Sequence, residues 1–247
     1  MSFKEWIFSS YPNPHIDGAW KLPHILVLLL CIAFIVASTL LLKKKQKVKF
    51  ILLLSFAALI VVFGLTRRIV NFVKTTDYSF RNVLSILLPR PGCAISCWLV
   101  VLAVIINKKY FYNLASIIGI LCGGIFFIYP GAGFNNEFIL FENLYSIATH
   151  ALFFTMSICF VTYKFADFNY KKPVGDGFCF LGLLFYVILD IWVFKIEKDP
   201  FYFMPNNDVQ EIVGLDYGLY LPLYALFIIV FVGLFYLIPA LKKRKAK

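Results

Sequence analysis

Seven side chains carry most of the chemistry this sequence offers: His24, Arg67, Arg68, Arg90, Cys93, His150 and Asp190. All lie in or at the edge of apolar runs. An ionisable group near a bilayer's centre costs about 3 kcal/mol, so each is a candidate functional residue. His150, in Thr149-His150-Ala151, can give or take a proton near neutral pH. A buried histidine satisfied by a neighbouring helix is the competing reading. Asp190 is costly to leave unpaired. Tyr186 lies one turn earlier on the same face, and Arg90, Arg68 or His150 are candidate partners. Such an acid either orients a catalytic base or bridges two helices structurally.

The arginines offer forked hydrogen bonds to a phosphate or carboxylate. Arg67 and Arg68 can equally snorkel to lipid headgroups, whereas the Pro89-Arg90-Pro91-Gly92 break fixes the backbone of Arg90. Cys93 and Cys97 share a face at i and i+4. A cation beside Cys93 would activate it as a nucleophile, although a free cysteine is more often a small apolar filler. His24 reads as an interface residue. No metal-ligand spacing and no glycine-rich phosphate loop is present, so neither a metal nor a cofactor is expected.

The composition fixes what must position these groups. Of 247 residues, 61% are hydrophobic, 15% are charged and 28 are Phe. A soluble domain carries about a quarter charged residues. A polytopic, all-α membrane protein is what remains. The net charge of +11 is read as topology and headgroup charge, with membrane lipids as partners and nucleic acid excluded. The six cysteines fall inside apolar runs, so a disulfide framework is not expected.

A span needs about 20 mainly apolar residues. Seven segments qualify: Leu22–Leu42, Phe50–Val73, Val83–Ile106, Tyr110–Tyr129, Asn143–Tyr163, Phe178–Ile196 and Leu219–Leu241. Residues 1–21 form an interfacial segment, 22–241 a seven-helix membrane domain and 242–247 a basic tail. Lysines cluster at 43–49, at 108–109, at 164–172 and in the tail, whereas the connection after residue 129 has no basic residue. Positive-inside bias then places the N-terminus outside and the C-terminus inside the cell membrane. In that frame the seven candidates share the outer half of the bundle, and the inner half lacks an obvious charge. The Pro89/Pro91 break in the third segment frees carbonyls that need protein or water partners. Ala115, Gly119 and Gly123 recur every four residues, a face for close helix packing.

In order and spacing, several motifs resemble one family. They are Lys21-Leu22-Pro23-His24-Ile25, Leu88-Pro89-Arg90-Pro91-Gly92-Cys93, Tyr129-Pro130-Gly131, Thr149-His150-Ala151 and Tyr202-Phe203-Met204. The chain resembles the YwaF-type bacterial integral membrane proteins, whose animal relatives include a phospholipid acyltransferase. That resemblance implies a seven-helix fold, with His150 and Cys93 carried over. It also exposes a departure. The animal enzyme's reactive Cys and the family's His fall on Arg90 and Pro91 here.

The functional expectation is an outer-leaflet polar cavity that takes a lipid head. If the protein is an enzyme, the reaction is acyl transfer or ester cleavage. Cys93 or water attacks, His150 moves the proton, Asp190 orients His150, and Arg90 holds phosphate or oxyanion. Arg67, Arg68 and His24 complete the binding set. The alternative is a non-enzymatic binder or transporter of an anionic or lipid-like solute.

Overall fold

The computed structural model describes residues 3–8, 20–128, 133–134, 140–169, 174–194, 201–203, 205, 207, 210 and 213–245. Every regular element among them is helical. A six-residue helix, α1 (Phe3–Phe8), leads, and its Trp6 packs edge-on against Phe141 at 5.8 Å. α2 (Leu22–Leu41) begins with Pro in its first turn, where a missing amide costs nothing. α3 (Gln46–Lys74) follows. Then come α4 (Phe80–Leu87) and α5 (Gly92–Ile106), bent by 57° at the Pro-Arg-Pro break. Asn107 ends α5 in the left-handed conformation (φ 52°), which turns the chain straight into α6 (Lys109–Ile128). α7 (Phe141–Thr162) and α8 (Val174–Ile188) succeed it, and α8 runs on into a π-helical turn, Leu189–Val193. α9 (Tyr217–Lys245) closes the bundle.

Six of these helices are long and apolar enough to cross a membrane, seven when the bent α4/α5 pair counts as one span. Their outward faces carry exposed Leu29, Leu30, Ile105, Phe185 and Ile229, which water would not tolerate in such density. This is the build of a multi-pass integral membrane protein. Relative to the sequence reading, α3 and α8 each start four residues earlier, and the third span is a bent pair. Tyr129 to Gly131, Lys171, Lys172 and Met204 lie outside the described residues.

α6 is the central post, with α5, α7 and α8 packed around it. The Ala115/Gly119/Gly123 face meets α7. A Cβ on Gly119 would lie 2.0 Å from Ser157 Oγ, and one on Gly123 would lie 2.7 Å from Phe154. Ser157 uses that closeness to donate to the Ala115 carbonyl at 3.0 Å. Fully buried Val100, Ile117, Phe153 and Phe160 fill the layer around them. α9 stands on the outside, with Tyr220 and Tyr224 its buried residues among those described.

The chain order puts His24, the arginines, Glu142, His150 and Asp190 at one end of the bundle, the arginine end. Lys43 to Lys49, Lys108, Lys109 and Lys164 lie at the other. That lysine end is not free of buried charge, contrary to expectation. Lys49 is buried, 5.2 Å from the Tyr163 ring centroid, and donates to the Lys43 carbonyl. Asp176, which the earlier start of α8 draws into the bundle, is buried too and accepts from Asn113 and from Tyr236.

Candidate functional site

The arginine end is organised by the break between α4 and α5. A continuous helix would pair the Leu87 carbonyl with the amide four residues on, but that residue is Pro91 and has no N–H. Arg68 Nε supplies the missing donor at 2.9 Å. Its Nη1 donates to the Gly64 carbonyl at 3.1 Å, and the guanidinium lies 4.9 Å from the Trp98 ring centroid. The Pro89 carbonyl, also left outside helical bonding, accepts from Tyr186 Oη at 2.7 Å. The break therefore faces protein, held by α3 on one side and α8 on the other.

Arg67 points toward α7. Its guanidinium lies 4.6 Å from the Tyr145 ring centroid, with Nη2 3.7 Å from Glu142 Oε1. Its Nε is buried and makes no hydrogen bond. Glu142 and Tyr145 escaped the sequence reading, although their i, i+3 spacing in the first turn of an apolar helix was a visible signal. Arg90 occupies the break itself, half-buried, with no hydrogen bond or ion pair to any described residue. Cys93 follows in the first turn of α5, half-buried, and Cys97 below it is buried.

His150 is buried in α7. Its Nδ1 lies 2.7 Å from the Ser146 carbonyl of its own helix, so that nitrogen carries the proton and Nε2 is left as the acceptor. Phe126 stacks on the ring at 3.8 Å and Phe153 tilts against it at 5.1 Å. His24 is wholly buried at the start of α2, where Nδ1 accepts from the Trp20 amide at 3.0 Å. Its Nε2 faces the Phe127 main chain without a hydrogen bond of ordinary geometry. The ring stacks with Phe127, so adjacent phenylalanines of α6 separate the two histidines.

Asp190 is fully buried in the π-helical turn of α8, within electrostatic reach of Tyr186. Asp190 and His150 stand on different elements, the π-helical turn after α8 and α7, and both α8 and α7 pack on α6. Arg67, by contrast, reaches α7 itself, over the Tyr145 ring and beside Glu142. The seven candidates thus share an end but form three groups: His24 and His150 around the Phe126/Phe127 pair, the α3 arginines with α4, α5 and α7, and Asp190 with Tyr186. Among the described residues no group of three His, Cys, Asp or Glu side chains is placed to hold a metal ion.

No family model, curated protein or solved structure matches this chain.

Proposed function

We propose that this integral membrane protein binds an anionic lipid, with the lipid head seated at the arginine end. The observation that carries this reading is Arg90. It is a guanidinium held in a helix break at the level of Arg67 and Arg68, and no described acceptor meets it. The start of α5 immediately behind it adds the positive end of a helix dipole. An anion there would take a forked bond from Arg90 while the lipid body stays in the bilayer.

Acyl transfer, the activity implied by the YwaF-like resemblance, has weaker support. In that scheme Asp190 orients His150, whereas the Ser146 carbonyl already holds Nδ1. Family membership, the cell membrane as location and the N-outside orientation belong to the same proposal, the last supported by the lysine clusters at the opposite end.

The test is lipid retention by protein reconstituted in nanodiscs of mixed phosphatidylglycerol and phosphatidylcholine. Enrichment of phosphatidylglycerol is expected, falling about tenfold in Arg90→Ala, a loss of about 1.4 kcal/mol. Equal retention of both lipids by the native chain would overturn the reading. His150→Ala should leave retention unchanged, whereas loss of lipid turnover in that variant would restore the enzymatic alternative.

A further inference from the structure

We infer that Arg67 and Glu142 together read a hydroxyl on the head of this lipid, which makes its phosphodiester one that carries a polyol. The inference rests on the reading above, in which Arg90 takes the phosphate, and adds what selects the rest of the head.

Arg67 and Arg68 are consecutive on α3 but serve different neighbours. Arg68 is committed to the helix break, where it bonds the Leu87 and Gly64 carbonyls and covers Trp98. Arg67 turns the other way, to the first turn of α7. α3, α5 and α7 pack on one another in every pairing. The break that holds Arg90 and the start of α7 that holds Glu142 therefore flank one turn of α3. A single lipid head can meet both.

The Arg67–Glu142 pair is open. Its nearest atoms stand 3.7 Å apart, beyond a hydrogen bond, and both side chains are half-exposed. Arg67 Nε is buried and makes no hydrogen bond. An ion pair of this kind contributes little to stability, so tying α3 to α7 does not account for it. The Tyr145 ring under the guanidinium and the positive end of α7 beside Glu142 keep the two charges in place.

Charge and hydrogen-bonding capacity decide what fits between them. A phosphate at Arg67 would stand against the Glu142 carboxylate, and like charges at that range repel. An ammonium would stand against the Arg67 guanidinium. A hydroxyl suits both partners, because it accepts from an arginine N–H and donates to a carboxylate. One oxygen with two bonds of about 2.8 Å closes a gap of 3.7 Å. Arg90, which pairs with no acid among the described residues, is left for the phosphate.

The experiment places the full chain in phosphatidylcholine nanodiscs holding equal parts of phosphatidylglycerol and phosphatidylmethanol with the same acyl chains. Retained lipid is read by mass spectrometry. The two anionic lipids carry the same charge, and only phosphatidylglycerol has free hydroxyls. Native protein is expected to prefer phosphatidylglycerol about tenfold, the worth of one hydrogen bond to a charged group. Glu142→Ala should bring that ratio to within about twofold of unity. It should also hold phosphatidylmethanol more tightly than the native chain does, because a repelling carboxylate is gone; a misfolded variant would lose both lipids. In that event Glu142→Gln, which keeps the shape and one acceptor, decides: a ratio near about threefold supports the inference, and an unchanged ratio overturns it. Equal native retention of the two anionic lipids, both above phosphatidylcholine, would overturn the hydroxyl site while leaving the head reading standing. Retention of neither above phosphatidylcholine would instead sink the head reading. Phosphatidylethanolamine held in preference to phosphatidylglycerol would assign Glu142 to an ammonium and overturn the inference.

Discussion

Arg68 Nε lies 2.9 Å from the Leu87 carbonyl, in the place where a helix would put the amide that Pro91 lacks. A side chain of α3 thereby repairs the backbone of α4 and fixes the 57° bend. A hydrogen bond from a charged donor contributes about 1.5–3 kcal/mol, and here the alternative is a bare carbonyl in hydrocarbon. Arg68→Met is therefore expected to destabilise the protein by about 2 kcal/mol in detergent unfolding. Arg68→Lys should recover only part of this, because an ammonium cannot serve Leu87 and Gly64 with the same fork. Pro91→Ala combined with Arg68→Met restores an amide donor and should cost less than Arg68→Met alone. Equal stability of the single and double variants would show that the bond is incidental.

Tyr186 Oη serves the Pro89 carbonyl from the other side at 2.7 Å. Tyr186→Phe removes the donor without changing the shape of the wall, so a loss of about 1 kcal/mol is expected. It should add to the loss in Arg68→Met, since the two donors come from different helices and serve different carbonyls. A double-variant cycle in thermal unfolding reads the coupling. Coupling well above about 0.5 kcal/mol would mean that the break yields as one unit.

Much of this arrangement was legible in the sequence, for particular physical reasons. Hydrocarbon demands long apolar helices, so the spans stood out by composition alone, as did the close face of Gly119 and Gly123. The need for partners at the Pro89/Pro91 break followed from missing amides. Which residues would answer did not follow, because Arg68 and Tyr186 come from helices 19 and 97 positions away from their carbonyls. Helix adjacency was the hidden quantity. Asp190 and His150 were read as one depth, but the helices that carry them meet mainly through α6. Asp176 was hidden for a related reason. Its charge reads as the start of a loop until Asn113 and Tyr236 are seen to enclose it.

The contact between α6 and α7 predicts a size threshold. Gly119→Ala places a methyl 2.0 Å from Ser157 Oγ and 3.0 Å from its Cβ, so α7 must shift or Ser157 must rotate away from Ala115. Overpacking of this kind costs about 1–3 kcal/mol. Adding Ser157→Ala removes the oxygen and should recover part of the loss, although the Cβ contact persists. Gly124→Ala is the control, since its Cβ meets nothing within 4 Å and its effect should be small. Thermal unfolding of the three variants checks the ranking. A Gly119→Ala protein as stable as Gly124→Ala would mean that the two helices are not locked at this point.

The lysine end depends on one amide. Asn113 Oδ1 accepts from the Asp167 main-chain N–H at 2.8 Å, while Nδ2 donates to the Asp167 carbonyl at 3.1 Å and to Asp176 Oδ1 at 2.9 Å. Tyr236 of α9 donates to the other Asp176 oxygen at 2.8 Å. A single side chain of α6 thus ties the turn after α7 to α8, and through Asp176 to α9. Lys109 pairs with Asp167 at 2.9 Å, but that pair is exposed and contributes little. Asn113→Leu strips the turn of its anchor and leaves Asp176 with one donor fewer, so a loss of about 2 kcal/mol or more is expected. Asp176→Asn should be nearly as damaging, because the new amide turns a donor toward one of two donors already in place. Tyr236→Phe should be milder, releasing α9 alone. Trypsin reports the difference, since Lys164 sits in the turn that Asn113 secures. Cleavage there should quicken in Asn113→Leu and stay at the native rate in Tyr236→Phe. Unchanged cleavage in Asn113→Leu would mean that the aromatic contacts of Phe165 and Phe168 hold the turn without the amide.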